Sequence, residues 1–326
     1  KTFKLNSANQ TPSIYVGKNN RLVFKVDSNS ENELLVKVAL SATGEEGAMK
    51  NLEAEIADWD FERVKTNAKN IWDKELSKIR IEGGKEDDRI AFYSALYHAY
   101  SAPNIYCDVD GKYRARDLEN YENPQHTTYT VFSLWDTYRA AHPLYTIVQE
   151  KRTLDFIKTF LDKYKKGGAL PMWELSANET MCMIGYHSVP VIVDAYFKGI
   201  KDFDLELALE AMISVAKTDE LGKAEFAKYG YIPLDMEHES VSKALEYAFD
   251  DWCIAMFAKD LGKQDVYEEF IERAQFYKNV FNPKNGFMQS KLNAAWQEPF
   301  DPKEVNFNFT EANSWQYSFY VPHDIL

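Results

Sequence analysis

The feature that most constrains this chain is a change of period near residue 60. Before it, apolar residues fall in short β-branched or alternating runs: Ser13-Ile14-Tyr15-Val16, Arg21-Leu22-Val23-Phe24-Lys25-Val26 and Leu34-Leu35-Val36-Lys37-Val38-Ala39-Leu40. Turn chemistry separates them at 17–20 and 27–32, so strands are predicted through about residue 55. Three strands starting at Lys1 read as the end of a larger sheet.

Beyond residue 60 the spacing is helical. Phe61, Val64, Ala68, Ile71 and Trp72 form one stripe, and Ile90, Tyr93, Leu96, Tyr97 and Tyr100 form the next. Leu154, Ile157, Leu161 and Tyr164 follow, stopped by Gly167-Gly168. Ser188 and Asp204 are candidate N-caps, the latter for 205–217. Two long helices are predicted at about 241–261 and 265–281. About eight helices in antiparallel pairs, with no shared sequence repeat, suggest a helical-hairpin toroid or array. The long linkers 103–135, 167–187 and 282–311 are rich in Trp, Tyr, Asp, Glu and Asn, and such loops on a helical scaffold are where ligand chemistry sits.

Composition narrows the chemistry. The 326 residues are one large domain or two smaller ones, 45% apolar and 27% charged. Mean hydropathy is −0.47 and no run of about 18 apolar residues exists, so no membrane span is expected. The chain opens at Lys1 without a basic-then-apolar leader, so any signal sequence is expected outside it. Acidic residues outnumber basic ones by 51 to 38, a net charge of −13 that disfavours nucleic acid and anionic lipid. Cys107, Cys182 and Cys253 fit neither a disulfide framework nor a C-x-x-C metal site, and each is expected as a small buried residue. Aromatic residues reach 14%, which suits a large core and also suits the C–H faces of sugar rings. No phosphate loop, dinucleotide fingerprint or nucleophile elbow occurs, and His238-Glu239 does not continue as a zincin helix.

Four segments could carry chemistry. In the first, Glu311 with Trp315 one helical turn later has the makings of a general acid beside an aromatic wall. The same residue would serve as a helix N-terminal charge after a Thr310 cap. In Ser133-Leu134-Trp135-Asp136-Thr137-Tyr138-Arg139, Asp136 and Arg139 are within reach at i, i+3, either as a sugar clamp beside Trp135 or as a structural ion pair. Glu246 and Asp250 repel at i, i+4 on a periodic helix, which a solvated face, a cation or a ligand cavity would relieve. Glu174 and Glu179 sit in a loop that reads equally as pocket edge or plain connection.

Together these segments resemble glycoside hydrolase family 92, the calcium-dependent exo-acting α-mannosidases widespread in gut Bacteroides. The resemblance runs through 46–55, 92–98, 108–114, 133–139, 179–185, 245–252 and 310–324, in that order and spacing. It implies a mainly α fold, an incomplete (α/α)6 barrel over 87–326, joined through a connecting helix at 56–86 to the end of a β-sandwich at 1–55. It also implies inverting hydrolysis of terminal α-linked mannose from glycans, by a protein that is periplasmic or exported. Glu311 matches the family's general acid and Asp136 a carboxylate that holds mannose hydroxyls. Trp135, Arg139, Glu179, Asp250, Asp251, Trp315, Gln316, His323 and Asp324 fall in matching motifs as pocket or support residues. The general base and most calcium ligands are expected beyond residue 326, so the chain is expected to be a fragment with weak or no activity alone. Two alternatives stay open. One is another (α/α)-barrel glycosidase or a polysaccharide lyase, although a −13 chain is a poor host for polyanions. The other is a noncatalytic glycan-binding or scaffold fragment.

Overall fold

The computed structural model describes residues 35–122 and 125–325, together with the backbone of a short antiparallel pair, Phe3–Lys4 with Ile14–Tyr15. The predicted strand at 21–26 lies outside the described residues. Residues 35–40 form no strand, and the stretch to residue 55 ends in a helix, α1 (Glu45–Glu55), so the expectation of strands throughout 1–55 is corrected. Residues 47–55 read Gly-Ala-Met-Lys-Asn-Leu-Glu-Ala-Glu, and good helix formers at seven of those nine positions outweigh the nearby strand pattern.

The helices then follow in order: α2 (Phe61–Leu76), α3 (Glu86–Ala99), α4 (Leu134–Thr137), α5 (Ala141–Val148), α6 (Glu150–Gly167), α7 (Ser188–Phe197), α8 (Leu205–Ala216), α9 (Lys223–Tyr229), α10 (Ser240–Asp260), α11 (Gln264–Arg273) and α12 (Ser314–Tyr317). Twelve α-helical segments among the described residues exceed the eight expected, because several are single turns too short to show a period. The protein is therefore mainly helical. Several ends follow local chemistry. The Asp204 carboxylate accepts from Leu207 N at 3.0 Å, and Gly168 closes α6 in the left-handed region with its N–H on Tyr164 O at 2.8 Å. His187, rather than Ser188, is the residue that precedes the first turn of α7. The helix predicted at 265–281 stops at Arg273 and gives way to a 3-10 turn, Phe276–Asn279.

The chain divides into two compact units. The first comprises 1–83, 106–114 and 120–127. Its described centre is a polar knot in which Asp108 accepts from Ser41 Oγ at 2.8 Å, Thr43 Oγ1 at 2.5 Å and Asn51 Nδ2 at 2.8 Å. Gly47 lies against this knot, and a Cβ there would stand 2.5 Å from Ser41 Oγ. In α2 the predicted stripe is present, yet Phe61 and Ile71 remain exposed.

The second unit comprises 84–105, 115–119 and 128–326 and holds the large core. Its axis is α10, buried around most of its circumference, including Leu245, Ala248, Ile254 and Phe257. A helix buried on nearly all sides is a central helix wrapped by others, here α7, α8 and α11. Phe249, Trp252 and Met256 are only partly buried, so the expected core stripe does not mark a single inner side. Of the cysteines, Cys253 is buried, whereas Cys182 is exposed, contrary to the expectation of three small core residues.

Candidate functional site

Both i, i+4 carboxylates of α10 are buried, at 0% exposure for Glu246 and Asp250, which excludes the solvated face. Their repulsion is relieved by a cation. His187, delivered by the N-terminus of α7, has Nδ1 2.8 Å from Asp250 Oδ1 and Nε2 3.0 Å from Glu246 Oε2. Burial by itself would drive the imidazole pKa down, but the two carboxylates outweigh it and hold it up at about 9. Tyr138 stacks on the imidazole with ring centroids 4.1 Å apart.

Glu246 gathers further donors. Trp135 Nε1 donates to Oε1 at 3.0 Å, and Arg139 Nη2 donates to the same oxygen at 3.1 Å. Burial raises the Glu246 pKa, yet His187 and Arg139 prevail and keep it below its ordinary value. Asp250 faces fewer donors, namely His187 and the Tyr186 N–H at 2.8 Å, and burial wins there to raise its pKa. Asp251 continues the network with Arg273 Nε at 2.7 Å and Tyr186 OH at 2.6 Å, while burial lifts it to about 6.

Trp135 and Asp136 are presented by a small antiparallel sheet, Phe132–Ser133 with Trp173–Leu175 and then Asn178–Glu179, which leads directly into α4. Asp136 is exposed and takes a hydrogen bond from Ser133 Oγ. The expected Asp136–Arg139 pair is replaced by Arg139–Glu246, because the guanidinium turns inward over the rings of Trp135, Tyr138 and Tyr320. Within the sheet, Glu179 accepts backbone N–H groups from Met172 at 2.9 Å and from Trp173 and Met181 at 3.0 Å. Its partner Glu174 is buried on Thr130 Oγ1 and Lys163, so both carboxylates brace the loop.

The bend at 307–311 runs along the first turn of α10. Val241 N donates to Asn308 O at 3.1 Å, and Thr310 N to Ser242 Oγ at 2.8 Å. Ser242 and Glu246 are one turn apart on the same face of α10, which brings the Glu311 segment beside the Trp135–Glu246 junction. Glu311 is exposed and has φ +50°, a left-handed conformation that costs a non-glycine residue about 1 kcal/mol or more and accumulates at functional sites. Two expectations are corrected. Glu311 precedes the helix instead of beginning it, since Asn313 is the cap of α12 and shares a capping box with Gln316. Trp315 is therefore not one helical turn from Glu311, and its ring packs on Phe287 at 5.0 Å.

His323 and Asp324 lie further along. His323 Nε2 is 2.8 Å from Ala274 O, with its ring among Phe249, Trp252 and Tyr277. Asp324 accepts from Tyr277 OH at 2.7 Å. The members that sequence reasoning missed are Tyr138, Tyr186, His187, Arg273 and Tyr320. Only the repulsive Glu246–Asp250 spacing signalled that a cation was needed, and a cation 60 residues away leaves no local pattern. Among the described residues no group of three or more His, Cys, Asp or Glu side chains is arranged to hold a metal ion.

The family model of the glycosyl hydrolase family 92 catalytic domain matches residues 47–326. An uncharacterized secreted glycosidase of Arthroderma benhamiae is 28% identical over 356 residues, spanning 95% of this chain and 42% of its own. The family GH92 alpha-mannosidase BT3965 of Bacteroides thetaiotaomicron superposes with a TM-score of 0.83 at 40% identity, over 87% of this chain and 38% of that one. The GH92 inverting mannosidase BT2199 of the same organism gives 0.83 at 35% identity, over 87% and 40%. BT3965 also has a structure in complex with mannoimidazole. The chain thus spans about two fifths of the length of these relatives. With 280 of its residues inside the matched catalytic domain, the chain belongs to glycosyl hydrolase family 92.

Proposed function

We propose that this chain carries the acid half of an inverting α-mannosidase site that removes terminal α-linked mannose from glycans. The observation that carries the reading is the meeting, on adjacent turns of α10, of the Thr310–Glu311 and Trp135–Asp136 segments. A glycosidase of this kind needs a carboxyl group at the leaving oxygen and separate groups that grip the ring. In this reading Glu311 donates the proton to the departing oxygen, and Asp136 accepts hydrogen bonds from hydroxyls of the terminal mannose. Trp135, pinned through its indole N–H, offers its ring face, while Arg139 supports it from within. Glu179, Asp250, Asp251, Gln316, His323 and Asp324 act as supports, each through the contacts given above.

The base that activates water is assigned to no described residue, and calcium enters the reading only through the family. No step here runs through the metal. The (α/α)6 barrel is likewise the finer reading of a mainly helical unit whose relatives are GH92 structures. Export is supported by the secreted relative, and no described helix is long and apolar enough to cross a membrane.

The test is Glu311→Gln in an enzyme of the relatives' full length that carries these residues. Mannose release from α-linked mannobiose should fall by about 10³, within the span of a lost general acid, while mannose affinity stays within about threefold. An unchanged rate would remove Glu311 from the acid role.

A further inference from the structure

The segment that carries Glu311 and the segment that carries Asp136 touch directly through two phenols, the hydroxyl of Tyr320 lying on that of Tyr138. We propose that Tyr320 is a positioning residue that holds the acid in register with the ring-gripping aspartate, acting through Tyr138 and Glu246. The proposal rests on the reading of Glu311 as the acid and of Asp136 as a grip on the terminal ring.

Both segments are fastened to α10, one helical turn apart. On the acid side, Thr310 N donates to Ser242 Oγ at 2.8 Å. The chain then passes the Glu311 bend and α12, and Tyr320 N donates to Tyr317 O at 2.9 Å, which extends the turn. Tyr317 adds a tie in the middle: its phenol, pushed up to about 12 chiefly by burial, lies beside the hydroxyls of Ser242 and Thr310. Tyr320 then meets Tyr138, whose hydroxyl donates to Glu246 Oε2 at 3.5 Å. On the grip side, the same Glu246 holds Trp135 Nε1 at 3.0 Å. The Arg139 guanidinium spans the junction, 4.8 Å from the Tyr138 ring centroid and 5.3 Å from that of Tyr320. The acid segment is therefore tied at Thr310 and again at Tyr320, and the second tie is shared with the grip.

The polar character of the contact argues for positioning over mere filling. A phenyl ring would occupy the same space, whereas a hydroxyl taken out of water has to find a partner, and finding one fixes where the ring stands. Burial and the Glu246 charge push both phenols above the ordinary tyrosine range, so both keep their protons and stay donors. Glu311 is a residue that needs such ties. Its left-handed φ of +50° persists only where the surroundings over-determine the bend. A general acid also has to stand within hydrogen-bond reach of the leaving oxygen, and a misplacement of about 1 Å can cost about 10² in rate.

The experiment is Tyr320→Phe in an enzyme of the relatives' full length that carries these residues, assayed on two substrates. The leaving oxygen of α-linked mannobiose needs a proton, whereas the phenolate of dinitrophenyl α-mannoside departs without one. Tyr320→Phe should lower kcat on mannobiose by about tenfold or more with KM within about twofold, and change kcat on the aryl mannoside by less than about twofold. Tyr138→Phe, which removes the partner hydroxyl, should show the same split. Equal losses on both substrates in the two variants would mean a purely structural role and overturn the proposal, as would no loss on either substrate. Glu311→Gln, run alongside, separates the two readings. If it shows the split and neither tyrosine variant does, the positioning role falls and the acid stands. If Glu311→Gln spares mannobiose, both fall.

Discussion

Trp135 and Glu246, separated by 111 residues, are joined by an indole N–H donated at 3.0 Å to a carboxylate with no solvent exposure. This bond fastens the segment that carries Asp136 to the central helix, and Arg139 shares the same oxygen at 3.1 Å. Positional precision for an exposed aspartate on a single turn of helix has to come from such anchors, because a four-residue helix has almost no rigidity of its own.

Glu246→Gln should therefore loosen that segment. An amide has one acceptor oxygen, so it cannot serve Trp135 and Arg139 on one side and His187 on the other. The expected loss is about 3 kcal/mol in urea unfolding, the scale of a buried charged partner removed. The Trp135 indole proton, followed by NMR and assigned through Trp135→Phe, should move upfield. An unmoved indole resonance would mean that the bond is not made in solution.

Stability should fall as pH rises from about 6.5 to 8. The native His187 keeps its proton to about pH 9, whereas an unfolded histidine loses it near 6.5. The folded state thus binds more protons in this window, and ΔG of unfolding decreases with pH. The full contribution, about 3 kcal/mol, is present below pH 6.5 and gone above 9. Lys223, lowered to about 8 by burial, acts in the opposite sense above pH 8, and His142, lowered to about 3 by burial, does so near pH 6.5, so the His187 effect is read as the difference between wild type and His187→Gln. Urea midpoints across pH 6.5–8 should show the slope in wild type and its disappearance in His187→Gln.

Gly185→Ala should cost more than Gly168→Ala, although both glycines have left-handed φ, +79° and +76°. A Cβ on Gly168 meets open space, so only the backbone penalty of about 1 kcal/mol applies. A Cβ on Gly185 would run into the His187 imidazole. The imidazole has no room to retreat between Asp250 and Glu246, which adds about 1–3 kcal/mol of overpacking. Equal losses in paired urea titrations would contradict this packing.

Arg273→Met should destabilise by about 3–5 kcal/mol, since it leaves the Asp251 carboxylate buried beside Tyr186 without its cation. Arg273→Met combined with Asp251→Leu should recover most of that loss, because an apolar pair of similar volume carries no unpaired charge. Thermal midpoints of the single and double variants decide it.

Several of these features were already determined by the sequence. Asp204 before an apolar periodic run sets the start of α8, and Gly168 ends α6, because caps and left-handed glycines act within a few residues. The long helix predicted at about 241–261 folds as the longest described helix, Ser240–Asp260. The segments around Glu311 and Asp136 were also legible as polar-aromatic stretches.

The tertiary structure decided what those residues touch. Arg139 lies three positions from Asp136 and yet pairs with Glu246, since a buried carboxylate gains far more from a cation than an exposed one does. The sequence left open whether solvent, a cation or a ligand cavity relieves the Glu246–Asp250 repulsion, and the N-terminus of α7 decided it by placing His187 between them. Glu311 lost its predicted helical turn because Asn313 caps α12 two residues later, leaving it in a strained left-handed bend. Each of these depends on partners tens of residues distant. Local periodicity reports the backbone's own preference, whereas burial and charge pairing are settled only when separate helices pack around α10.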